Sequence, residues 1–454
     1  MRRRTDNYTF LTEAPVPRVI LSMAVPTIIS MLVTSLYNLA DTYFVGRINT
    51  QCTAAVGISF SVMSLIQALG FFFGHGSGNY ISRQLGAKNV QNASQMAATG
   101  FFLSVASGCI VALLGQFFLT DIALLLGSTP TIQPYTEQYL GIVLLGAPLM
   151  TGSFTMNNQM RFQGNAAFSM LGIVSGAVLN LVLAPLFIFV FDLGIRGAAV
   201  ATVLGQLCSF VILFVMTRQK RNIGIYFRNF SPCWSYIKEI ILGGTPSLSR
   251  QGLGSVSTLV LNLAAGAYGD AAIAGMSIVT RISFFIFAVV IGLGQGFQPL
   301  CGFCYGARLY RRVYEGYRFG VRLGTIFLFV VAVVCFAFAA PIVEEFRHDA
   351  AVVEVGAVAF RWQLLSYPLL ATIILTNMLM QTIRKPLRAN LVAAARSGLF
   401  FIPIVLILPH WLGLLGVEMS QALADVCSFA LSVPIAMSAF RDMRRMKKDH
   451  SPVS

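Results

Sequence analysis

Charged residues are scarce in this chain of 454 residues. Only 11% are Asp, Glu, Lys or Arg, whereas 56% are hydrophobic and the mean hydropathy is +0.74. A soluble domain is roughly a quarter charged, so this chain lacks the charge that would coat a water-facing surface. The shortage excludes a soluble globular fold and a disordered chain, and it predicts a polytopic membrane protein.

Histidine is almost absent, and its four residues form no cluster with the spacing of metal ligands. The eight cysteines lie mostly inside apolar segments, where a thiol behaves as a small hydrophobe, so they predict no disulfide framework. A nucleophile and base pair is not recognisable either. These absences argue against an integral-membrane enzyme, and we expect no catalysis, no cofactor and no certain metal site.

Acidic residues are the scarcer of the two charge types, with 17 Asp and Glu against 32 Lys and Arg. The basic residues stand between long apolar runs, whereas a nucleic-acid binder gathers them on one face of a soluble fold. The net charge of +15 therefore indicates membrane topology, and we expect no nucleic acid as a partner.

Apolar runs of the length that crosses the bilayer, about 20 residues for roughly 30 Å of hydrocarbon, recur twelve times. They lack the alternation of polar and apolar residues that is typical of barrel strands, so we predict an all-α protein with twelve transmembrane helices. The predicted spans are residues 16–45, 52–80, 93–118, 135–157, 165–191, 194–217, 235–265, 271–300, 318–341, 352–380, 388–409 and 411–440.

The loops between these spans test the count through their basic residues, which favour the cytoplasmic side. One set of loops and termini holds 25 Lys and Arg, and the alternate set holds only Arg47, Arg196 and Arg347. A missed or invented helix would move every later loop to the other side and destroy this asymmetry. Both termini are therefore predicted to be cytoplasmic.

The chain also repeats itself at an offset of about 220 residues. The turn Gly86-Ala87-Lys88 matches Gly306-Ala307-Arg308, and Pro26 matches Pro246 early in the first span of each half. Each half has an even number of spans, so we predict two pseudo-symmetric six-helix bundles related as parallel repeats. The predicted domains are an N-terminal bundle 1–217, a basic cytoplasmic linker 218–234, a C-terminal bundle 235–440 and a basic cytoplasmic tail 441–454.

The matched prolines predict helix bends, because proline removes one backbone hydrogen bond of the helix. A static kink that improves packing and a functional bend both remain open for Pro26 and Pro246.

Several motifs resemble the multidrug and toxic compound extrusion (MATE) family, in particular its bacterial multidrug-efflux branch. They are the run Tyr37-Asn38-Leu39-Ala40-Asp41-Thr42-Tyr43-Phe44-Val45-Gly46, the Gly86-Ala87 turn, Leu179-Asn180 leading to Pro185-Leu186-Phe187-Ile188-Phe189, and Leu193-Gly194-Ile195-Arg196-Gly197-Ala198-Ala199. The resemblance covers essentially the whole chain. It implies cation-coupled export of diverse, often cationic and aromatic compounds.

Together these observations predict a secondary active multidrug efflux antiporter that exchanges xenobiotics for H⁺ or Na⁺ by alternating access between two bundles. We expect a monomer in the plasma membrane, the inner membrane of a bacterium, with small-molecule drugs and organic cations as partners beside the lipid bilayer. The alternative is a flippase or exporter of lipid-linked or polysaccharide precursors, which would carry a more basic cavity for phosphate.

Ionisable residues inside a bilayer are costly and usually functional. Asp41 lies about four residues, or roughly 6 Å, inside the outer end of the first span. Asn180 and Thr202 fall in the same outer half of the first bundle, and Tyr139 is a candidate hydrogen-bond partner of Asp41. The resemblance to the family places its N-terminal cation site on these positions, whereas a surface cap or pair is the plainer role for Asp41.

The fifth span departs from the family pattern at one position. A second carboxylate commonly follows the Asn by four residues in the family, and Ala184 stands there in this chain. A site with one carboxylate is poor for Ca²⁺ or Mg²⁺, which take several oxygen ligands, and it is weakened for Na⁺. We therefore favour proton coupling at Asp41.

The last span carries further candidates, because the repeat aligns three of its polar residues with the sixth span. Glu418, Gln421 and Asp425 are three and four residues apart, which places them on one helical face. We predict that Asp425 faces the inside of the second bundle and titrates during transport. The structural alternatives are an interfacial Glu418 and an ion pair of Asp425 with Arg281 or Arg396.

Overall fold

The structure, a computed structural model, describes residues 7–219 and 222–449, and these residues form helices with no strand. This confirms the predicted all-α class. Part of the predicted basic residues, namely Arg2, Arg3, Arg4, Lys220 and Arg221, lies outside the described residues, as do positions 450–454 of the predicted tail.

The first half of the chain contains nine helices among its described residues. They are α1 Asn7–Glu13, α2 Val16–Gly46, α3 Thr50–Gly86, α4 Val90–Phe117, α5 Leu119–Leu125, α6 Gln133–Leu145, α7 Ala147–Phe162, α8 Ala166–Pro185 and α9 Gly194–Thr217. A π-helical turn, Leu186–Val190, extends α8.

The second half follows a short 3₁₀ turn at Phe227–Asn229 and contains nine more helices among its described residues. They are α10 Trp234–Gly266, α11 Asp270–Gly306, α12 Tyr310–Ala337, α13 Ala339–Phe346, α14 Ala350–Thr382, α15 Pro386–Ala394, α16 Phe401–Ile407, α17 Pro409–Leu412 and α18 Leu414–Asp449. A π-helical turn, Ala395–Leu399, joins α15 to α16. Helix α18 continues nine residues beyond the predicted end of the last span at 440.

Ten helical segments of the described chain are long and apolar enough to cross a membrane, and the pair α6 and α7 makes an eleventh span bent by 50°. The predicted span 135–157 is therefore broken at Gly146, where α6 ends and α7 begins with Pro148 in its first turn. The remaining predicted span corresponds to α10, which is 33 residues long but less apolar because it carries Lys238, Glu239 and Arg250.

The internal repeat is visible in the backbone. Helices α3 and α11 both have 37 residues, and α4 and α12 both have 28. The matched residues Lys88 and Arg308 both adopt the uncommon left-handed conformation, with φ of 60° and 58°. Equivalent chain reversals thus follow equivalent helices in the two halves.

The described chain divides into two compact units, which exchange short segments. The first contains Met1–Leu11 and Val25–Gly244, and the second contains Thr12–Ala24 and Thr245–Ser454, each as far as its residues are described. The predicted boundary in the linker 218–234 differs from this division. The boundary instead falls inside α2 and α10, two residues before Pro26 and Pro246, and each proline lies within a continuous helix.

Side-chain contacts explain the exchange. In the first unit, Glu239 at the start of α10 forms an ion pair with Arg83 of α3 at 2.9 Å, and Tyr236 donates a hydrogen bond to Gln95 of α4 at 2.7 Å. In the second unit, Arg312 of α12 donates to the carbonyl of Ala14, just before α2, at 2.7 Å. The first turns of α2 therefore belong to the second unit and those of α10 to the first. The rest of each helix belongs to the other unit.

Candidate functional site

Four acidic side chains are buried among the described residues. Asp41, Glu239, Glu418 and Asp425 are only 7, 8, 5 and 0% exposed. Glu239 pairs with Arg83 and Asp425 pairs with Arg396 at 2.8 Å, whereas Asp41 and Glu418 have no ion-pair partner within the described chain. A buried carboxylate without a counter-charge is costly, so these two acids are the strongest candidates for function.

Asp41 lies near the end of α2, with two tyrosines close to its carboxyl group. Its Oδ1 atom is buried and has no hydrogen-bond partner in the described protein. Tyr37, one helical turn earlier, and Tyr139 of α6 both interact electrostatically with Asp41. Both tyrosine side chains are themselves buried, so Asp41 is enclosed by groups that can donate hydrogen bonds but carry no positive charge.

Asn180 of α8 and Thr202 of α9 form the other side of this site. Asn180 Nδ2 donates to Thr202 Oγ1 at 3.2 Å, and Thr202 in turn donates to the Ala198 carbonyl at 3.0 Å. Tyr139 interacts with Thr202 and lies 3.7 Å from the sulfur of Met63. The structure thus brings all four residues predicted from the sequence, Asp41, Tyr139, Asn180 and Thr202, into one connected group.

Two glycines allow α8 and α9 to approach closely enough for the Asn180–Thr202 bond. A Cβ atom at Gly176 would overlap the Ser209 side chain and the Gly205 carbonyl, and one at Gly205 would lie 2.8 Å from the Gly176 carbonyl. Small residues are the usual means by which membrane helices bring their backbones together. The glycines therefore set the spacing of the site.

We expect Gly176→Ala to destabilise the protein by about 1–3 kcal/mol, the usual cost of overpacking, because α8 and α9 must separate. The matched control is Gly57→Ala in α3, where a Cβ meets no atom within 4 Å and alanine favours the helix. Thermal unfolding in detergent should show a lower Tm for the first variant and an equal or higher Tm for the second. An unchanged Tm for Gly176→Ala would contradict the close-contact role.

A small cavity inside the first unit adjoins the group. It is partly open, has a volume of about 40 Å³, and its lining includes Tyr37, Asn180, Thr202 and Gln206. A water needs roughly 10–15 Å³, so the cavity has room for about three waters. It is far smaller than the roughly 300–1,000 Å³ of a drug-sized pocket, so it suits water or a small cation.

Sequence reasoning missed Tyr37 and Gln206 as members of this group. Tyr37 interacts with both Asp41 and Gln206. The signal was available, because Tyr37 precedes Asp41 by four residues and Gln206 follows Thr202 by four, the spacing that places side chains on one helical face.

Ala184 lies in an apolar cluster beside the site. It is fully buried and packs with a group that includes Val45, Tyr139 and Ala199. Position 184 therefore supplies no carboxylate one helical turn beyond Asn180. No group of three or more His, Cys, Asp or Glu that could hold a metal ion occurs anywhere within the described residues.

Asp425 lies inside the second unit and is held by three neighbours. Arg396 Nε and Gln421 Nε2 donate to its Oδ1 at 2.8 and 3.0 Å, and Ser366 Oγ donates to its Oδ2 at 2.9 Å. Arg396 lies in the π-helical turn, with its guanidinium 4.5 Å from the ring centre of Phe287. These contacts favour the structural ion pair, one of the two alternatives that the sequence left open, and they select Arg396 over Arg281.

Glu418 is buried, and the interfacial position that the sequence left open is not the one observed. It interacts electrostatically with Glu354, near the start of α14. Of the three second-unit candidates, Gln421 and Asp425 contact each other directly, and Glu418 lies one turn nearer the start of α18.

The comparisons of this chain with a family model and with individual proteins agree with one another. The MatE family model matches residues 26–186 and 246–407, one match in each half of the chain. The multidrug export protein MepA of Staphylococcus aureus (strain MRSA252) is 28% identical over 432 residues, which cover 94% of this chain and 95% of that protein. MepA of Staphylococcus haemolyticus (strain JCSC1435) is 27% identical with 94% of each chain covered.

Solved structures share the fold. A MATE crystal structure in complex with MaL6 superposes with a TM-score of 0.92 at 24% identity and covers 97% of this chain and 100% of that one. An outward-facing multidrug resistance MATE transporter gives a TM-score of 0.92 at 24% identity, with 98% and 100% covered. The predicted twelve-helix architecture of two six-helix bundles agrees with these matches.

Proposed function

Because the chain belongs to the MatE family, we propose that it is a secondary active multidrug exporter that exchanges drugs and organic cations for protons. Proton coupling is inferred from Asp41, a buried carboxyl that has no ion-pair partner and lies beside Tyr37 and Tyr139. Multidrug export itself is inferred from the names of the relatives in the two Staphylococcus species.

The proposed mechanism rests on the cost of a buried charge. Charged Asp41 is costly in this enclosed site, and a bound proton removes the charge. A ligand shifts a conformational equilibrium only by binding one state more tightly than another. Asp41 binds a proton more tightly when its site is closed to water than when the site is open. Proton binding therefore shifts the protein toward the conformation in which the site is closed.

Water supplies the route by which a proton reaches the site. The small cavity is lined by Tyr37, Asn180 and Thr202, and Tyr37 lies one turn from Asp41. We infer that water in the cavity exchanges the proton through the tyrosine and amide groups. Tyr37 and Tyr139 interact electrostatically with Asp41 and bring no counter-charge that would compete with the proton.

The surroundings favour H⁺ over Na⁺. A hard cation takes several oxygen ligands, and the group around Asn180 offers one carboxylate. The Asn180 amide nitrogen points toward Thr202, and the position one turn beyond Asn180 is the methyl group of Ala184 in an apolar cluster. A proton needs only the carboxyl of Asp41.

We expect efflux to respond to a pH gradient and to be indifferent to Na⁺. Everted vesicles in a dye-containing medium would be given either gradient alone, and dye accumulation in their lumen, the direction of export, would be followed by fluorescence. Ala184→Asp serves as the matched variant, because it restores a second carboxylate one turn from Asn180 and should introduce Na⁺ sensitivity. Efflux driven in the parent protein by a Na⁺ jump at constant pH would show that proton coupling is wrong.

The alternative, a flippase or exporter of lipid-linked or polysaccharide precursors, has less support, because both MepA relatives are named multidrug export proteins. We retain export of drugs as the function.

We further infer a monomer in the plasma membrane, the inner membrane of a bacterium, with both termini in the cytoplasm. The even number of spans puts the termini on one side, and the concentration of 25 basic residues in one set of loops assigns that side to the cytoplasm. A cysteine-labelling map of single loops in intact cells and in everted vesicles would test this orientation.

A further inference from the structure

Helix α10 has three faces beyond Pro246, which differ in exposure and polarity. Its packed face lies against the π-helical turn that follows α15, where Ser257 donates a hydrogen bond to the carbonyl of Ser397. Its second face is apolar and exposed, which suits contact with lipid, and contains Val256, Leu259 and Leu263. The second face therefore accounts for the lipid-facing side of this helix.

The third face of α10 is polar and open. Its residues recur at spacings of three and four, and they are Gln251, Gly254, Ser255, Thr258 and Asn262. A Cβ atom at Gly254 would meet no atom within 4 Å, so the described chain leaves space beside this part of the helix. The side-chain amides of Gln251 and Asn262 have no hydrogen-bond partner within the described chain, which is costly against lipid. This face therefore borders water.

Arg250 lies at the edge of the polar face, one helical turn before Gly254. Its Nη1 atom donates to Asn377 Oδ1 of α14 at 2.8 Å, and Asn377 Nδ2 donates in turn to the Ala389 carbonyl at 2.7 Å. Among the described residues Arg250 has no acidic partner, and it is only partly buried. The guanidinium is thus oriented by a neutral amide and keeps N–H groups for a further partner.

The depth of Arg250 makes its lone charge costly. It is the middle residue of α10, which has 33 residues, so the edge of the hydrocarbon is about 15 Å away in either direction. That distance is too long for the side chain to reach the interface by snorkelling, and the phosphates of bilayer lipids do not lie at this depth. A charged residue inside a membrane span usually marks the path of a substrate or ion.

The internal repeat argues against a purely structural role for this charge. At the offset of 220, Asn157 matches Asn377, and Asn157 Nδ2 makes the equivalent bond to the Ser169 carbonyl at 2.9 Å. The position that matches Arg250 is Ser30. The first unit therefore forms the same asparagine contact without an arginine, and the cation is an addition of the second unit.

We propose that Arg250 binds a carboxylate group of the compounds that the protein exports. A guanidinium donates two parallel N–H···O bonds to a carboxylate, and the bound anion removes the cost of the lone charge. The amides of Gln251 and Asn262 on the adjoining polar face can donate to other polar groups of the same compound. This inference rests on the proposed function, and it adds compounds with a carboxylate to the organic cations.

The test compares two dyes with the same chromophore. Rhodamine 110 has a free carboxylate, and rhodamine 123 is its methyl ester and a cation. Binding to the purified full-length protein in nanodiscs of phosphatidylcholine would be measured by fluorescence anisotropy, without any gradient. We expect Arg250→Gln to weaken the binding of rhodamine 110 by about tenfold or more, the usual loss of a charge-assisted hydrogen bond. Rhodamine 123 should bind equally well or more tightly, because a like charge has been removed.

Two further variants separate this role from general effects of charge and folding. Arg281→Gln removes a positive charge from an exposed position in α11 and should leave both affinities unchanged. Asn377→Asp keeps Arg250 but gives it a carboxylate of the protein, so rhodamine 110 should bind more weakly and rhodamine 123 should not. The Tm of each variant would be measured alongside, because Asn377→Asp also loses the bond to Ala389.

Equal losses for the two dyes in folded Arg250→Gln, or no loss for rhodamine 110, would overturn the carboxylate site. A parent protein that does not bind rhodamine 110 would overturn it as well. If the parent binds neither dye, the proposed export of drugs is also in doubt. Binding is measured at equilibrium, so a failure of proton-driven export alone would leave the assignment of Arg250 standing.

Discussion

Replacing Asp41 with Asn is expected to reduce gradient-driven drug export to the background seen in vesicles that lack the transporter, while the protein remains folded. Asn has nearly the shape of Asp but cannot exchange a proton, so the link between proton binding and conformation is lost. Dye accumulation in everted vesicles under a pH gradient, which reports export, is the measurement. Asp121→Asn, at an exposed position in α5, is the matched control and should transport as the parent does.

The Tm of Asp41→Asn distinguishes a coupling role of Asp41 from a structural role. Asp41 Oδ1 is buried without a hydrogen-bond partner, so the loss of its charge removes a cost and breaks no ion pair. The Tm of Asp41→Asn in detergent should equal or exceed that of the parent. Full efflux in Asp41→Asn would refute the coupling role, and a large fall in Tm would indicate that Asp41 is a structural residue.

The first-unit group was predictable because the resemblance to the family places its N-terminal cation site on these positions, and a count of residues along the spans agrees with that placement. The depth of Asp41, Asn180 and Thr202 follows from counting residues from the ends of apolar runs, at 1.5 Å per residue. Helices that return across the same bilayer bring the outer halves of their spans together, and all three residues fall in that half. The structure then adds Tyr37, through its four-residue spacing from Asp41, and the close approach of α8 to α9 at Gly176.

Other features could not be read from the sequence, because they depend on packing between distant segments. The run at 135–157 contains Gly146 and Pro148, but these residues alone do not predict the 50° bend, because the matching Pro368 lies inside the continuous helix α14. The exchange of the first turns of α2 and α10 between the units rests on partners such as Arg83 and Glu239, which are 156 residues apart. Glu239 falls within a predicted span, and only the structure reveals that it is buried and paired.

For the same reason, the sequence could not decide whether Asp425 titrates during transport or forms an ion pair with Arg281 or Arg396. Both Arg281 and Arg396 lie in predicted spans of the second half, and either could reach α18. The π-helical turn Ala395–Leu399, which has no matching turn at the equivalent place in the first half, carries the arginine that makes the contact. Local irregularities of this kind follow from the packing of the whole unit.

Breaking the Asp425–Arg396 pair on one side is expected to have the largest effect on stability of any substitution in the second unit. Arg396→Gln leaves the fully buried Asp425 carboxylate without its counter-charge, and such a loss costs about 3–5 kcal/mol. We expect a much lower Tm and poor recovery of folded protein from the membrane. Asp425→Asn leaves Arg396 without its partner and should also destabilise, although Arg396 is partly exposed and still stacks on Phe287.

The double variant Asp425→Asn with Arg396→Gln decides between a structural pair and a transport role. It removes both charges and keeps polar groups for Ser366 and Gln421, so it should recover most of the Tm lost in Arg396→Gln. Its efflux should keep the pH dependence of the parent, because the proposed coupling places the proton at Asp41. A double variant that is stable but has a shifted pH profile would instead assign a proton to Asp425 during transport.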